Sequence, residues 1–268
     1  MVLVALTYFQ SIILGIIQGI TEWLPVSSKS MVIVAGRFLF GVPLDQGLFI
    51  SIFLHMGSLV ALIIYFWKDL VEVWNELFYG INGRHLFWFL FFASLVTGII
   101  ALPMLFLLKN ILDAGDSYEP LFTMLIGVFL IIVAFLHKRR KVTGTDTTLT
   151  KKKGAIAGFF QGLSIIPGLS RSGLTISSLL EMDFPVKDAL KLTFIMSIPV
   201  IIGAEMVLPL FHNSFQLNTP LLIGAIVAGV VGFFSVDYLL KVLENVNFFK
   251  ATLILGIIVI ILGASLAL

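Results

Sequence analysis

The chain has 268 residues, 59% of them hydrophobic and 12% charged, with a formal net charge of +2 and no cysteine; its mean hydropathy is +1.09. Soluble domains carry roughly 25% charged residues, so this composition excludes a soluble globular protein and indicates an integral membrane protein. The lack of cysteine excludes a disulfide framework, a thiolate nucleophile and a cysteine-ligated metal, and the four histidines, at 55, 85, 137 and 212, show no metalloprotease-type spacing.

A helix needs about 20 apolar residues to cross the hydrocarbon core. The first apolar segment, 3–24, lacks the basic flank of a cleavable signal peptide and runs into a polar stretch, GIIQGITEWLPVSSKS at 15–30. A short segment follows at 29–40, then three predicted spans at 47–67, 86–108 and 120–137. The hydrophilic linker KRRKVTGTDTTLTKKK, 138–153, reads as a topological anchor rather than a specific anionic-lipid site. Beyond it come a segment at 154–166, a second polar stretch, GFFQGLSIIPGLSRSG at 158–173, a short segment at 172–182, and predicted spans at 188–210, 220–240 and 249–268.

The expected fold is an all-α integral membrane protein with six transmembrane helices and two re-entrant helix-loop-helix hairpins. Broken helices are tolerated at membrane depth only where protein or a cavity shields them. Residues 1–137 form one repeat and 154–268 the other, within one structural domain. Three spans separate the hairpins, so the second hairpin enters from the opposite face and the repeat is inverted, with a binding site where the broken elements meet. Loop charges agree: Lys68, Arg84, the four basic residues 138–141, the three lysines 151–153, Lys187, Lys191, Lys241 and Lys250 fall on one side, thirteen of the 17 Lys and Arg. By the positive-inside rule that side is cytoplasmic and both termini lie outside the plasma membrane.

The two polar stretches share G-x-x-Q-G, a proline and S-[KR]-S, and align with a single one-residue gap. A carboxylate at membrane depth costs about 2.5–3.5 kcal/mol, which makes Glu22 a functional candidate. Gln18 lies one turn before it on the same helix face. Gln18 and Gln161 serve equally well as substrate ligands or as amide glue between helices. In PVSSKS and PGLSRS a proline ends one helix and a serine-rich turn opens the next, the arrangement of an anion site; Gly168 belongs to the second turn. Arg171 supplies a planar fork for phosphate oxygens, whereas Lys29 either adds a point charge or, preferred here, snorkels outward. Ser27, Ser28, Ser30, Ser170, Ser172 and Thr175 surround them. This inventory suits a ligand with an anionic head and an apolar tail, a lipid phosphate or diphosphate. For hydrolysis, a serine attacks, Glu22 acts as base or metal ligand, and Arg171 holds phosphoryl charge. A divalent cation, Mg2+ or Ca2+, suits such oxygen donors.

QGITEWLPVSS and PGLSRSGLTIS, supported by HMGSLVALIIYFW at 55–67 and LTFIMSIPVIIGA at 192–204, closely resemble the signature regions of the undecaprenyl-diphosphate phosphatase, or bacitracin-resistance, family. The resemblance implies hydrolysis of a C55 polyprenyl diphosphate to the monophosphate, with divalent-metal dependence and an active site open to the outer face. It implies that Glu22 is the essential carboxylate, Ser28 the nucleophile, and Arg171 with Ser170, Ser172 and Thr175 the phosphate binders. The chain departs from many members in three places: Gln18 replaces a glutamate, Met31 a histidine, and Ser51 stands where an acidic residue is usual. His55 is read as a structural hydrogen-bonder rather than a replacement base. No role is assigned to Glu205 or Asp237. The expected partners are a polyprenyl diphosphate and the membrane, with no nucleic acid; the small residues of GAIVAGVVG, 224–232, permit close helix contact within a chain or in a homodimer. A flippase for a lipid phosphate is the alternative function.

Overall fold

The computed structural model describes residues 6–80, 84–112, 119–138, 144–211, 218–245 and 248–266. The described residues form eleven helices and no strand: α1 (Tyr8–Thr21), α2 (Ser28–Phe40), α3 (Leu44–Tyr65), α4 (Trp67–Tyr79), α5 (His85–Leu112), α6 (Glu119–Lys138), α7 (Lys151–Leu163), α8 (Arg171–Glu181), α9 (Val186–Phe211), α10 (Thr219–Asn245) and α11 (Phe248–Ser265). Residues 3–5 of the first expected segment, 139–143 of the linker and 267–268 of the last span lie outside the described residues.

Local signals set the boundaries. Thr7 and Gln10 form a capping box at the start of α1. Gly41, in the left-handed region at φ 69°, ends α2 by donating its amide to Arg37 O, while Val42 donates to Gly36 O. Thr150 and Ser170 accept from Lys153 N and Gly173 N and so start α7 and α8. Pro25 and Pro167 fall in the two helix breaks, where a missing N–H removes no helical bond.

The stretch expected as a loop from 68 to 86 contains α4. Its Trp67, Val71, Trp74 and Phe78 recur at helical spacing and stay exposed, while Glu76 turns inward and accepts the Phe87 amide at 2.8 Å. A search for long apolar runs passes over this helix because charged residues interrupt it. Four helices contain stretches long and apolar enough to cross a membrane: Gln46–Tyr65, His85–Leu108, Val186–Val207 and Thr219–Val236. The apolar parts of α6 and α11, Pro120–Leu136 and Thr252–Ser265, are shorter, so four of the six expected spans meet that criterion among the described residues.

Close helix packing follows from missing Cβ atoms. α1 runs parallel to α10, with Gly15 on Gly224 and Gly19 on Ala228; α7 runs parallel to α5, with Gly154 on Phe89 and Gly158 on Ala93. At Gly15 and Gly158 an added Cβ would overlap a backbone oxygen of the neighbouring helix. The small residues of 224–232 thus serve contacts inside the chain, on α1 and, through Gly57, on α3. α6 and α11 pack antiparallel, with Gly127 beside Gly256.

Two apolar cores result. One joins the C-terminal part of α3 with the N-terminal parts of α5 and α9 and with α8, around Phe66, Phe89, Phe184 and Phe194. The other joins α2, the N-terminal part of α3 and the C-terminal Leu108 of α5, around Leu14, Ile33 and Leu54. Beyond its elbow residues Trp23 and Leu24, the α1–α2 hairpin packs in the second core, whereas α7 and α8 pack in the first. The hairpins therefore approach each other from opposite ends of the bundle. Basic residues collect at the first-core end: Lys191 pairs with Asp69, and Lys151 lies 4.6 Å over the Trp88 ring. Lys153 donates to Asp146 at 2.6 Å and thereby holds that carboxyl down to about 2. The Asp146 amide donates to Asp183 O at 2.9 Å, which pins the end of the linker to the α8–α9 turn.

Candidate active site

The elbows of the two hairpins touch between the cores. Glu22 follows the last turn of α1 and is 2% exposed. Its Oε1 accepts from Arg171 Nη2 at the start of α8. Its Oε2 accepts from Ser28 Oγ at 2.6 Å and from Gln18 Nε2 at 2.8 Å, and His55 Nε2 lies 3.2 Å away on the same oxygen. A buried carboxylate is tolerable only when its lone pairs are met by donors of this kind. Gln18 also reaches Ser58 Oγ at 3.3 Å, which holds its amide behind the carboxylate.

The rest of the contact between the elbows follows the internal repeat. Lys29, which aligns with Arg171, crosses to the opposite elbow and donates to Ser164 O at 3.2 Å and Ile165 O at 3.1 Å. Ile165 aligns with Glu22, so each cation reaches the matching place in the other half and only one half supplies a carboxylate there. Ser30 Oγ accepts from Gly168 N at 2.6 Å, and its counterpart Ser172 donates to Leu24 O at 3.1 Å. Both halves share a scaffold; the ionisable chemistry resides in one combination, Glu22 with Arg171.

A cavity of about 130 Å³ opens on this cluster. Glu22, Ser27, Ser28, Lys29, His55, Ser170, Arg171 and Ser172 line it on the polar side. Leu48, Phe49, Ile52, Leu105, Val200 and Ile201 line it on the apolar side. Leu48, Phe49 and Ile52 come from the N-terminal part of α3 and Leu105 from the C-terminal part of α5, while Val200 and Ile201 lie near the middle of α9, so the α3 part of the greasy wall lies toward the end of the bundle held by the α1–α2 hairpin. Ser27 adopts φ 62°, uncommon for a residue other than glycine, and its hydroxyl lies 2.9 Å from Ser30 Oγ. Of the two adjacent serines, Ser28 is the one on Glu22.

Several expectations need revision. Lys29 does not snorkel outward, because the carbonyls ending α7 offer it acceptors inside the bundle. Gly168 is turned by φ 97° and tucked against Ile126 and Phe129, with its amide spent on Ser30, so it shapes the elbow and does not border the cavity. Thr175 is fully buried behind the first turn of α8 and is absent from the cavity wall. Gln18 likewise acts behind Glu22. Gln161 does line the cavity, donating to Thr97 Oγ1 at 3.1 Å. Glu205, left without a role, borders the same cavity. His55 is the hydrogen-bonder expected of it, and its partner across the helices is the Glu22 carboxylate; Leu48, Ile52 and His55 recur at i, i+4 and i+7 on one face of α3.

The donors around Glu22 do not suit a protein-held divalent cation. Both carboxylate oxygens already serve protein donors, one of them a guanidinium, and no cluster of three His, Asp or Glu side chains occurs among the described residues. Magnesium commonly binds through one or two carboxylates together with substrate phosphates; Glu22 and Glu205 border the cavity, but the Glu22 oxygens already serve protein donors.

Residues 11–264 match the family described as bacitracin resistance protein BacA. The chain belongs to this family. An undecaprenyl-diphosphatase of Methanococcoides burtonii is 35% identical over 269 residues, covering 94% of this chain and 97% of the relative. That of Methanothrix thermoacetophila is 32% identical, covering 95% and 96%, and that of Geotalea daltonii 32%, covering 88% and 90%. The BacA match spans both hairpins, and so the whole of the Glu22–Arg171 contact.

Proposed function

We propose that the chain hydrolyses a polyprenyl diphosphate of the undecaprenyl type to the monophosphate and inorganic phosphate, recycling a lipid carrier for envelope glycan synthesis. One observation carries this: Ser28 and Arg171, from different hairpins, meet on the two oxygens of one buried carboxylate, beside a cavity that is polar at one wall and apolar at the other. Ser28 Oγ attacks the terminal phosphorus, its proton passes to Glu22 Oε2, and the bond to the bridging oxygen breaks so that the prenyl monophosphate leaves with the bonding electrons. Arg171 and Lys29 face the charge on the phosphoryl oxygens. Water then attacks the phosphoserine, releasing phosphate and returning the proton to Ser28.

Six crossings with two re-entrant hairpins are the arrangement we propose for the bundle, with 1–137 and 154–268 as repeats joined by 138–153. The opposed approach of the hairpins and the basic first-core end support an inverted repeat with that end in the cytoplasm. The exposed aromatic stripe of α4 suits the cytoplasmic membrane interface. The α3 part of the apolar cavity wall lies toward the other end, which supports an active site open to the outer face of the plasma membrane and both termini outside. A divalent cation enters as the counter-ion of the diphosphate, not as a resident of the protein.

The relatives named above are diphosphatases, and none is named as a carrier. Purified protein in detergent, given a long-chain polyprenyl diphosphate and magnesium, is expected to release inorganic phosphate. No release across several metals and chain lengths would leave lipid transport as the better account.

A further inference from the structure

We infer that His55, carried on α3, is the positioning residue for Glu22. This rests on the phosphatase reading of the site. His55 approaches from another helix, borders the cavity, and sets Nε2 3.2 Å from the same Glu22 oxygen that accepts the Ser28 hydroxyl at 2.6 Å.

The ring is held at its other edge. Nδ1 donates to Ser51 O at 2.5 Å, one turn earlier on α3, which fixes the ring plane and directs Nε2 at the carboxylate. Ser51 itself is buried, with its hydroxyl donating to Leu48 O at 2.6 Å, so the anchor is rigid. The amide of Gln18 braces the same oxygen. In the imidazolium form the ring donates from both nitrogens, so Oε2 sits between two fixed N–H donors, His55 and Gln18, with Ser28 at the open position, and rotation of the carboxyl away from Ser28 is resisted by both. The side chain at 55 is thus tied to Ser28 through Glu22, and its effect belongs to the chemical step rather than to lipid binding.

The test is steady-state phosphate release from a polyprenyl diphosphate by the full chain in detergent. His55→Ala is expected to lower kcat on the order of 100-fold while KM moves by less than about threefold, the pattern of a displaced catalytic group. His55→Gln, whose amide nitrogen reaches toward the same carboxylate, keeps a larger share of kcat. Separately, the imidazole nitrogen resonances of His55 shift in Glu22→Gln without any substrate. Wild-type kcat in His55→Ala, a loss confined to KM, or a loss that His55→Gln does not relieve at all would overturn the role of His55 while leaving the phosphatase intact. A wild-type protein that releases no phosphate would remove the phosphatase reading and the role of His55 together.

Discussion

At the scale of single residues, the site depends on one carboxylate shared between a hydroxyl and a guanidinium. Arg171 is 15% exposed at its side chain and Glu22 1%, so removing the cation leaves a nearly dry carboxylate with less compensation. Breaking a buried pair from one side costs about 3–5 kcal/mol in general, and here the remaining donors Ser28, Gln18 and His55 soften that cost. Arg171→Ala and Glu22→Gln are therefore expected to fold and to elute normally from size exclusion, yet to lose phosphate release by at least about 100-fold, the scale of one lost charge-stabilising donor. Near wild-type turnover in either variant contradicts the mechanism. The carboxylate and the arginine were legible in the sequence, because each is anomalous in an apolar chain. The inward turn of Lys29 was not legible: its acceptors are backbone carbonyls of a segment more than 130 positions away, and no side-chain pattern announces a carbonyl.

Among the elements, the two hairpins are held in place mainly by glycine. Gly15 and Gly19 let α1 lie against α10, and Gly154 and Gly158 let α7 lie against α5. At Gly158 the obstruction to a side chain is backbone of Ala93, which cannot rotate aside. Gly158→Leu is expected to push α7 off α5, cost about 1–3 kcal/mol, lower the melting temperature in detergent, and reduce activity through displacement of Arg171 rather than loss of it. An unchanged melting temperature would show that α7 tolerates a wider spacing. The helices themselves were readable to within a few residues from apolar length, proline breaks and caps. α4 was not, because an amphipathic helix of 13 residues falls short of any spanning length.

For the molecule as a whole, the decisive feature is that the two hairpins pack in different cores, the observation on which the proposed inverted arrangement rests. Because the chain contains no cysteine, single introduced cysteines report sidedness without a background. A cysteine replacing Lys152 is expected to react with a membrane-impermeant maleimide only from the cytoplasmic side, and one replacing Gly41 only from the outer side. Labelling of both from the same side would refute the inverted arrangement. By itself the sequence determined the apolar, membrane-type setting, most of the helices, the likeness of its two polar stretches and the suspicion attached to Glu22 and Arg171, since all of these follow from local hydropathy, charge and spacing. Tertiary structure alone decided which serine sits on the carboxylate, that Lys29 turns inward, that Gly168 and Thr175 stand back from the cavity, and that His55 completes the cluster. Those outcomes depend on directions in space between helices distant along the chain, and hydrogen bonding within about 3 Å is settled only when packing brings the helices together.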